Sequence, residues 1–555
     1  RPLRSRPAQA AFRLVRGAKR RARKLVAGPA APAFLARPTT SAKLRVLFLS
    51  GEAETPGHIY RVIRGAAAAR RWGADVVVDT IEDLSNERAV SQFDVLWIWR
   101  APWTERIGRL LDEARRSNVK IVFDIDDLMI DPTLARPDII DAIRSQRLDA
   151  GGVAQMYERI ASTFALADYG VAPTPFLAPY LRRYEKPAFV PKNTFDTLTL
   201  EDSRKAARRR RLENGDGLQR IGYAGGTRTH QEDFRQAAEA IARVLKERPQ
   251  CRLVLFSHCG EPILDPHEYP EFVSCMSQIE WREAVPLAEL PKELARFDIN
   301  LAPLVAGNPF CEAKSELKYF EAALANVPTI ASRTQAFAEA ITPGVTGYLA
   351  DSPDDWHAAI ITLLDDDAHR ARVTEAAFLD VIGRYGPDQH ADNIGHVLEQ
   401  VSESNARKTQ TFTTTIGTTR DNARPVVPGN HVVLERDRLG QAAVCVVIPL
   451  YNYEKYITEA LDSVASQTLD VLDLVVVDDA STDNSLSLAE QWITQHLSRF
   501  NRVLLCRNDA NSGLALTRNA AFARAETQFV LPLDADNILL PNCAETLLKS
   551  IEPTS

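Results

Sequence analysis

The sequence predicts a multidomain α/β protein built on parallel sheets. Its 555 residues are too many for one ordinary domain, since a domain typically has about 150 residues. Hydrophobic residues make up 45% and charged residues 25%, which are usual globular values. Short runs rich in Val, Ile and Leu alternate with stretches of helical periodicity, the pattern of a doubly wound fold. A collagen-like chain, a wholly disordered chain and a single small module are therefore excluded.

The N-terminal segment 1–43 differs from the rest in charge. It holds twelve Lys or Arg and no acid, although the whole chain has a net charge of −6. Apolar residues recur at steps of three and four between positions 8 and 26, which predicts a basic amphipathic helix. This helix could bind an anionic membrane surface or link to an upstream domain, and both interpretations stay open. Nucleic acid is excluded as a partner because the remaining chain is acidic.

Cysteine usage and hydropathy bear on the compartment. The seven cysteines are scattered without a CxxC pair, which indicates neither a disulfide framework nor a zinc site. No stretch reaches the roughly 18 to 20 apolar residues that a membrane span needs, and no secretory signal is apparent. We predict a cytoplasmic protein, peripheral at the inner face of the plasma membrane if residues 8–26 contact lipid. We interpret the chain from Arg1 to Ser555 as a fragment.

Two successive α/β units follow the basic segment. The predicted strands of the first unit lie at 44–49, 74–78, 95–99, 121–125, 169–172 and 188–191. Those of the second unit lie at 220–223, 252–256, 299–303, 329–331 and 347–349. Because 202–217 is charged and lacks a strand pattern, we place a hinge there, with domains at 44–205 and 206–403.

A linker and a third domain complete the chain. Residues 404–442 are rich first in Thr and then in Pro, Asn and Gly, which is typical of a linker. The third domain, 443–555, is expected to be truncated. Its predicted strands lie at 444–449, 472–478, 503–507 and 529–533, with helices at 457–466, 485–496 and 515–523.

Polar side chains follow three strands of this third domain. Asp534 and Asp536 come directly after one strand, Asp479 follows a second, and Pro449 and Tyr451 lie at the end of a third. The carboxyl ends of parallel strands meet at one edge of a sheet, where α/β folds bind ligands. A carboxylate pair suits Mg²⁺ that also contacts phosphate oxygens. The pattern therefore predicts a cation and diphosphate site.

The third domain resembles the inverting glycosyltransferases of family 2, which have a GT-A fold. The matching motifs are VVIPLYN at 446–452, VDDASTD at 477–483, NSGLA at 511–515 and DAD at 534–536. The resemblance implies that Pro449, Tyr451 and Asp479 line the nucleotide pocket. It also implies that Asp534 and Asp536 hold Mg²⁺ or Mn²⁺ on the donor diphosphate. The general base of the family would lie beyond Ser555, so we assign none.

The larger body has two candidate anion sites of its own. At the first, Asn308 precedes a helix that starts around Ser315, and helical spacing places Lys314, Lys318 and Glu321 near one face. Backbone N–H groups and a lysine can meet a diphosphate there, and a carboxylate one turn deeper can accept ribose hydroxyls. The second is a turn after the strand at 220–223, made of Gly225, Gly226, Thr227, Arg228 and His230.

The body from 44 to 400 resembles the retaining glycosyltransferases of family 4, whose GT-B fold has two Rossmann-like domains facing across a cleft. The match is strongest over 221–234 and 308–332. The resemblance implies that Glu321 binds the donor ribose, that Arg228 and Lys314 contact the diphosphate, and that no metal is required. The usual second glutamate would fall at Ala313, and the nearest acid is Glu312. We interpret this as a variant site.

The N-terminal half offers candidates with two interpretations each. His58 could contact acceptor or donor phosphate, or simply begin a helix. The segment 124–127, with Asp124, Asp126 and Asp127, looks like a metal site, but loop capping or binding of acceptor hydroxyls is the favoured interpretation. Three tryptophans could form a sugar platform, and core packing is expected for at least two of Trp97, Trp99 and Trp103.

Together the two resemblances predict a tandem hexosyltransferase-type enzyme. It would move sugars from UDP-, GDP- or ADP-sugar donors to a glycan or lipid-linked acceptor, with bacterial cell-surface polysaccharide as the expected product. The candidate catalytic residues of the GT-B unit are Glu321, Lys314, Arg228 and His58. Two alternatives stay open for that unit: a nucleotide-sugar epimerase, or a non-catalytic scaffold that binds sugar nucleotides.

Overall fold

The structure, a computed structural model, describes residues 43–84, 86–213, 215–403 and 426–551. It contains three β-sheets in chain order, with helices packed on them. Within the described residues, no helix is both long and apolar enough to span a bilayer. The predicted basic helix at 8–26 lies outside the described residues.

The first sheet has six parallel strands in the order β2-β1-β3-β4-β5-β6. The strands are β1 Arg45–Ser50, β2 Asp75–Thr80, β3 Val95–Trp99, β4 Lys120–Asp124, β5 Tyr169–Val171 and β6 Ala188–Phe189. The helices are α1 Arg64–Trp72, α2 Glu105–Arg116, α3 Asp141–Ser145, α4 Ala150–Ala165, α5 Ala178–Arg182 and α6 Thr197–Leu212. A π-helical turn, His58–Ile63, leads directly into α1. Both faces of the sheet are buried, one with Phe123 and the other with Trp97, as a doubly wound sheet requires.

The second sheet has the order β10-β8-β7-β11-β12-β13, and the short β9 pairs antiparallel with β8. The strands are β7 Gln219–Gly222, β8 Cys251–His258, β9 Glu261–Pro262, β10 Ile279–Glu283, β11 Ile299–Ala302, β12 Thr329–Ser332 and β13 Tyr348–Ala350. The helices are α7 Gln231–Glu247, α8 Leu290–Leu294, α9 Pro309–Glu312, α10 Leu317–Leu324, α11 Gln335–Ala340, α12 Pro353–Asp365 and α13 Asp367–Arg384. The sequence analysis missed β10 because its charged and exposed residues hide the strand pattern.

Both predicted limits of the second domain need correction. The boundary at 205/206 falls inside α6, which connects the first two sheets as a continuous helix. The last helix of the predicted second domain, α14 Pro387–Glu403, packs on α1 and shares the buried cluster of the first sheet. A Cβ on Gly395 would lie 2.1 Å from Trp72, so the glycine permits this close approach. The chain therefore returns to the first domain before the third begins.

The third sheet has five strands in the order β14-β17-β16-β15-β18, with β14 antiparallel to β17. The strands are β14 Asn430–Asp437, β15 Val444–Leu450, β16 Asp473–Asp478, β17 Arg502–Asn508 and β18 Phe529–Pro532. The helices are α15 Ile457–Ala465, α16 Ser485–His496, α17 Leu514–Arg524 and α18 Cys543–Ile551. The linker prediction for 404–442 is wrong over β14. This edge strand is half exposed, so its sequence lacks the apolar run of a buried strand.

Buried charges join the third domain to α6. The Glu526 carboxylate lies 2.9 Å from a guanidinium nitrogen of Arg204, 3.6 Å from Arg208 and 3.8 Å from Arg211. Arg502 of the third sheet adds a fourth positive charge nearby. Burial alone would raise the pKa of Glu526, but these arginines lower it to about 2. The ionised glutamate thus holds the third domain against the helix that connects the first two sheets.

We expect Glu526→Gln to lower the free energy of unfolding at neutral pH by about 3 kcal/mol, because four arginines lose their shared partner. Because folding lowers the pKa of Glu526, its ionised carboxylate stabilises the fold at pH values above the ordinary pKa of 4.5. This stabilisation is lost as the pH falls from 4.5 toward about 2. Urea unfolding of the full chain across this range should therefore depend less on pH in the variant. Glu490→Gln, at an exposed position of α16, is the control and should change nothing measurable.

Candidate active sites

The loops at the carboxyl ends of the first two sheets meet and form the first candidate site. The Nζ atom of Lys314 lies 2.7 Å from Oδ1 of Asp127 in the loop after β4. Asn193 donates its Nδ2 to Ser315 Oγ over 2.8 Å. Lys314 and Ser315 directly precede α10, so these contacts hold the start of that helix against the first domain. We call this contact region the cleft.

Glu321 lies one turn into α10 and faces the first domain. The Tyr60 hydroxyl, from the π-helical turn, donates to its carboxylate. Burial raises the pKa of Glu321, although Tyr60, Arg64 and Lys318 act in the opposite direction. Lys318 donates to the carbonyl of Ala224 in the turn after β7, and burial lowers the pKa of this lysine. A carboxylate and an ammonium group are thus held together in a low-dielectric environment.

The turn between β7 and α7 contains the second predicted anion site. Within the described residues, the Arg228 guanidinium forms no ion pair, while its backbone carbonyl accepts from Ser145 Oγ over 2.7 Å. His230 is engaged differently, because its Nδ1 lies 2.7 Å from the carboxylate of Asp233. Gly226 and Thr227 are exposed, and Gly225 is half-buried. In this group, Arg228 has a cationic side chain for which the described part of the chain provides no ion-pair partner.

Asn308 and Glu312 have structural partners. Asn308 caps α9 and donates its Nδ2 to the carbonyl of Ile139 over 2.9 Å, so it also bridges to the first domain. The two carboxylate oxygens of Glu312 accept from the backbone of Gly307 and of Gln335, each over 2.9 Å. Glu312 therefore does not replace the second glutamate that the resemblance leads us to expect at Ala313, which is fully buried.

Asp124 is neutralised by a buried arginine. Arg61 donates through Nε over 2.9 Å, and its second guanidinium nitrogen lies 2.8 Å from the same Oδ1. Trp97 donates its Nε1 to the other carboxylate oxygen over 3.0 Å. Burial raises the pKa of Asp124 to about 6 despite these partners. With both oxygens engaged, Asp124 holds the π-helical turn on β4, which agrees with a capping role and not with a metal ligand.

Arg100 is a residue of this site that the sequence analysis did not single out. One guanidinium nitrogen lies 2.6 Å from Asp126 and 2.7 Å from Asp127, and another lies 3.4 Å from Glu52. Its φ of 45° is rare for a residue with a side chain and carries strain. The arginine thus supplies the positive charge between two carboxylates that had looked like a metal pair.

Among the tryptophans, Trp99 borders this cluster, since its Nε1 donates to Asp126 over 3.1 Å. Trp97 and Trp99 are fully buried, which confirms core packing for two of the three, while Trp103 is 38% exposed. The Nδ1 atom of His58 is buried without a hydrogen-bond partner in the described part of the chain. Burial lowers the pKa of His58, so the ring is neutral near pH 7. A neutral imidazole can accept or donate a proton but cannot offset phosphate charge.

The carboxyl edge of the third sheet forms the second candidate site. Asp534 pairs with Arg518, and Asp536 is exposed. The charge of Asp536 is the main cause of a raised pKa at Tyr453. Two carboxylates suit Mg²⁺ or Mn²⁺, which complete their coordination with water and phosphate oxygens. The only group of three or more possible metal ligands among the described residues is elsewhere, at His258, Cys259 and Glu283.

The predicted nucleotide-pocket residues of the third domain differ in accessibility. Tyr451 is 41% exposed, whereas Pro449 is buried within β15. Asp479 is buried too, and its carboxylate accepts from the backbone N–H groups of Ser512 and Gly513, each over 2.8 Å. The φ of 83° at Gly513 favours glycine at this turn. Asp479 therefore positions the loop that precedes α17.

Parallel α/β sheets bind ligands at the carboxyl ends of their strands, where both candidate sites lie. Two segments of the chain also match known families. Residues 219–366 match the family described as "Glycosyl transferases group 1", and residues 445–554 match "Glycosyl transferase family 2". The chain thus carries two glycosyltransferase domains of different families. The predicted resemblance is confirmed for both segments.

Curated relatives are similar over about a hundred residues. "Glycosyltransferase GlyG" of Streptococcus pneumoniae serotype 4 is 30% identical over 109 residues, which are 20% of this chain and 35% of GlyG. "Hyaluronan synthase" of Streptococcus pyogenes is 32% identical over 109 residues, or 19% of this chain and 26% of the synthase. The chain therefore spans about a third or less of the length of these relatives.

Solved structures are similar over the larger body. Sucrose-phosphate synthase from Thermosynechococcus elongatus has 14% identity and a TM-score of 0.47, and the match covers 65% of this chain and 99% of the synthase. HepE of Anabaena, in complex with UDP-glucose, has 13% identity and a TM-score of 0.45, and the match covers 64% of this chain and 100% of HepE.

We expect Asp479→Ala to free the loop before α17, because two backbone N–H groups lose a charged acceptor worth about 1.5 to 3 kcal/mol each. Hydrogen exchange of a peptide that contains Ser512 and Gly513 should become much faster without any nucleotide present. Asp509→Ala, at an exposed position nearby, is the control and should leave exchange unchanged. Unaltered exchange in Asp479→Ala would instead indicate that Asp479 lines the pocket without positioning the loop.

Proposed function

We propose that this protein is a tandem glycosyltransferase that moves sugars from nucleotide-sugar donors to a growing glycan. The cleft is the donor site of a retaining, metal-independent unit. The carboxyl edge of the third sheet is the donor site of an inverting, metal-dependent unit. The observation that carries the proposal is the grouping of Lys314, Ser315, Lys318 and Glu321 at the start of α10, against the first domain.

Donor recognition in the cleft follows from this grouping. Lys314 and Lys318 offer positive charge, and Arg228 offers a guanidinium fork that can bind a phosphate in a bidentate manner. Glu321 offers carboxylate oxygens to the ribose hydroxyls. Because the lysines are half-buried, they interact more strongly with a diphosphate than they would in water. The proposal makes the second domain the nucleotide side and the first domain the acceptor side.

Leaving-group stabilisation is the chemical task of the same cations. When the sugar–phosphate bond breaks, negative charge develops on the diphosphate, and fixed positive groups lower the energy of that state. Lys314 and Arg228 are the groups we assign to this task. His58, neutral at pH 7, lies on the first-domain side and is assigned to contacts with the acceptor or the transferred sugar. No metal ion is needed for this step.

In the third domain, a bound metal ion would take the role that protein cations have in the cleft. Asp534 and Asp536 would hold Mg²⁺ or Mn²⁺, which would offset the charge of the leaving diphosphate. Arg518 neutralises Asp534 in the structure and keeps its carboxylate at the sheet edge. Tyr451 lies exposed at the end of β15, where the nucleotide would bind, and Asp479 supports the neighbouring loop.

The setting we propose is the assembly of a bacterial cell-surface polysaccharide in the cytoplasm. The hyaluronan synthase among the relatives supports a glycan product. UDP-glucose in the HepE crystal is a donor of the kind proposed, and UDP-, GDP- and ADP-sugars are the candidates here. A lipid-linked acceptor would place the protein at the inner face of the plasma membrane, where residues 8–26 could bind anionic lipid.

We expect Glu321→Gln to weaken binding of the nucleotide-sugar donor in the cleft roughly tenfold or more, because ribose hydroxyls lose a charged acceptor. Calorimetry on the full chain, with UDP-, GDP- and ADP-sugars, measures this loss. Glu339→Gln, exposed on α11, is the matched control and should bind as the wild type does. Equal affinity in Glu321→Gln and the wild type would refute the ribose assignment.

Chelation should separate the two donor sites. With EDTA present, donor binding in the cleft should persist, whereas binding at the third sheet should be lost because Asp534 and Asp536 have no cation to share with the diphosphate. In calorimetry, Glu321→Gln should therefore remove the EDTA-insensitive part of the signal and Asp536→Asn the EDTA-sensitive part. Asp470→Asn, exposed on the same domain, should leave both parts intact. An EDTA-sensitive cleft would contradict the metal-independent assignment.

A further inference from the structure

Two carboxylates of the first domain contact groups that the second domain could offer to a diphosphate, an ammonium group in one case and backbone N–H groups in the other. The first is Asp127, whose Oδ1 lies 2.7 Å from Lys314 Nζ. The second is Asp141 of α3, whose Oδ2 accepts from the backbone N–H of Gln231 over 2.6 Å and of Glu232 over 3.3 Å. Both contacts cross the cleft.

Asp141 lies at the N-terminus of α7, a helix of 17 residues. The unpaired N–H groups and the helix dipole make such an end favourable for an anion. The Asp141 side chain is 9% exposed and is also paired with Arg144 over 2.8 Å. Arg144 reaches Glu232 and Glu268 of the second domain, so α3 is bound to this domain by several charges.

Asp127 is in a comparable electrostatic environment. It pairs with Arg100 over 2.7 Å in addition to Lys314. Burial opposes ionisation, but Lys314 and Arg100 lower the pKa of Asp127 well below its usual range. The group is therefore an anion throughout the neutral range. Its oxygen takes the place on Lys314 that a phosphate oxygen would take.

The two contacts lie close to each other on the second domain. Lys318, one turn after Lys314, donates to Ala224 in the turn before α7. Cys311, three residues before Lys314, donates to Asp233 in the first turn of α7 over 3.1 Å. The segment before α10 and the start of α7 are thus neighbours, and a diphosphate carries anionic charge on two phosphates, as the two carboxylates do together.

We propose that Asp127 and Asp141 are internal anions that compete with the donor diphosphate and hold the cleft closed. The inference rests on the proposed function, because it takes Lys314 and the start of α7 as phosphate-binding groups. Donor binding then exchanges two protein carboxylates for phosphate oxygens. Breaking the cross-domain contacts costs free energy and lowers the observed affinity for the diphosphate. Removal of a carboxylate should therefore tighten diphosphate binding.

The test is calorimetry of UDP, GDP and ADP with the full chain and its variants. Asp127→Asn and Asp141→Asn should each raise the affinity for the diphosphate that the wild type binds by about fivefold, because each removes one competing anion. Asp127→Glu and Asp141→Glu keep the charge and should restore an affinity near that of the wild type. Asp138→Asn, exposed and paired with Arg136 outside the cleft, is the matched control and should change nothing.

The possible results separate the two proposals. If the wild type binds a diphosphate but both asparagine variants bind equally well or more weakly, the internal-anion proposal is overturned and the proposed function stands. If neither the wild type nor any variant binds any of the three diphosphates, the donor-binding function of the cleft fails, and the competition fails with it. Asp141→Asn carries the test by itself if thermal unfolding shows that Asp127→Asn does not fold.

Discussion

Several charges buried between domains of this chain are paired with groups on the opposite side, and this constraint sets how the domains meet. An ion that leaves water without a partner costs several kcal/mol, so paired charges strongly favour one docking geometry. Glu316 is an example on the cleft, since it accepts from Lys192 over 3.0 Å and from Tyr385 over 2.7 Å. Glu526 plays the same part for the third domain, between the arginines of α6 and Arg502.

The helix α6 connects these two interfaces. At its N-terminus, Asp196 caps the helix and pairs with Arg64, whose guanidinium lies over the ring of Tyr60. Toward its C-terminus, Arg204 and Arg208 pair with acids of the third domain. A movement of the first domain relative to the second must therefore shift or bend a helix that also holds the third domain. The two glycosyltransferase domains are therefore coupled through contacts with α6 as well as through the polypeptide chain.

The groups that hold the cleft closed are also the groups that would bind the donor. Lys314 and Glu321 each have a first-domain partner, Asp127 and Tyr60. One ammonium or carboxylate group can hold only a few close ionic partners. Because the same groups serve both roles, donor binding and the contact between the domains must influence each other. Arg228 differs, since its guanidinium has no ion-pair partner among the described residues. Arg228 can therefore meet a phosphate without breaking an existing ion pair.

Local pattern determined the three α/β units and the polar residues that follow their strands. The strand predicted at 529–533 and Asp534 are an example, because an apolar run and the loop that follows it occupy adjacent positions in the sequence. Only the tertiary structure decided that Asp141 lies on the start of α7, that β14 joins the third sheet, and that α14 returns to the first domain. These contacts join residues far apart in sequence, and burial and charge pairing in the folded chain select them. A local periodicity carries no information about such partners.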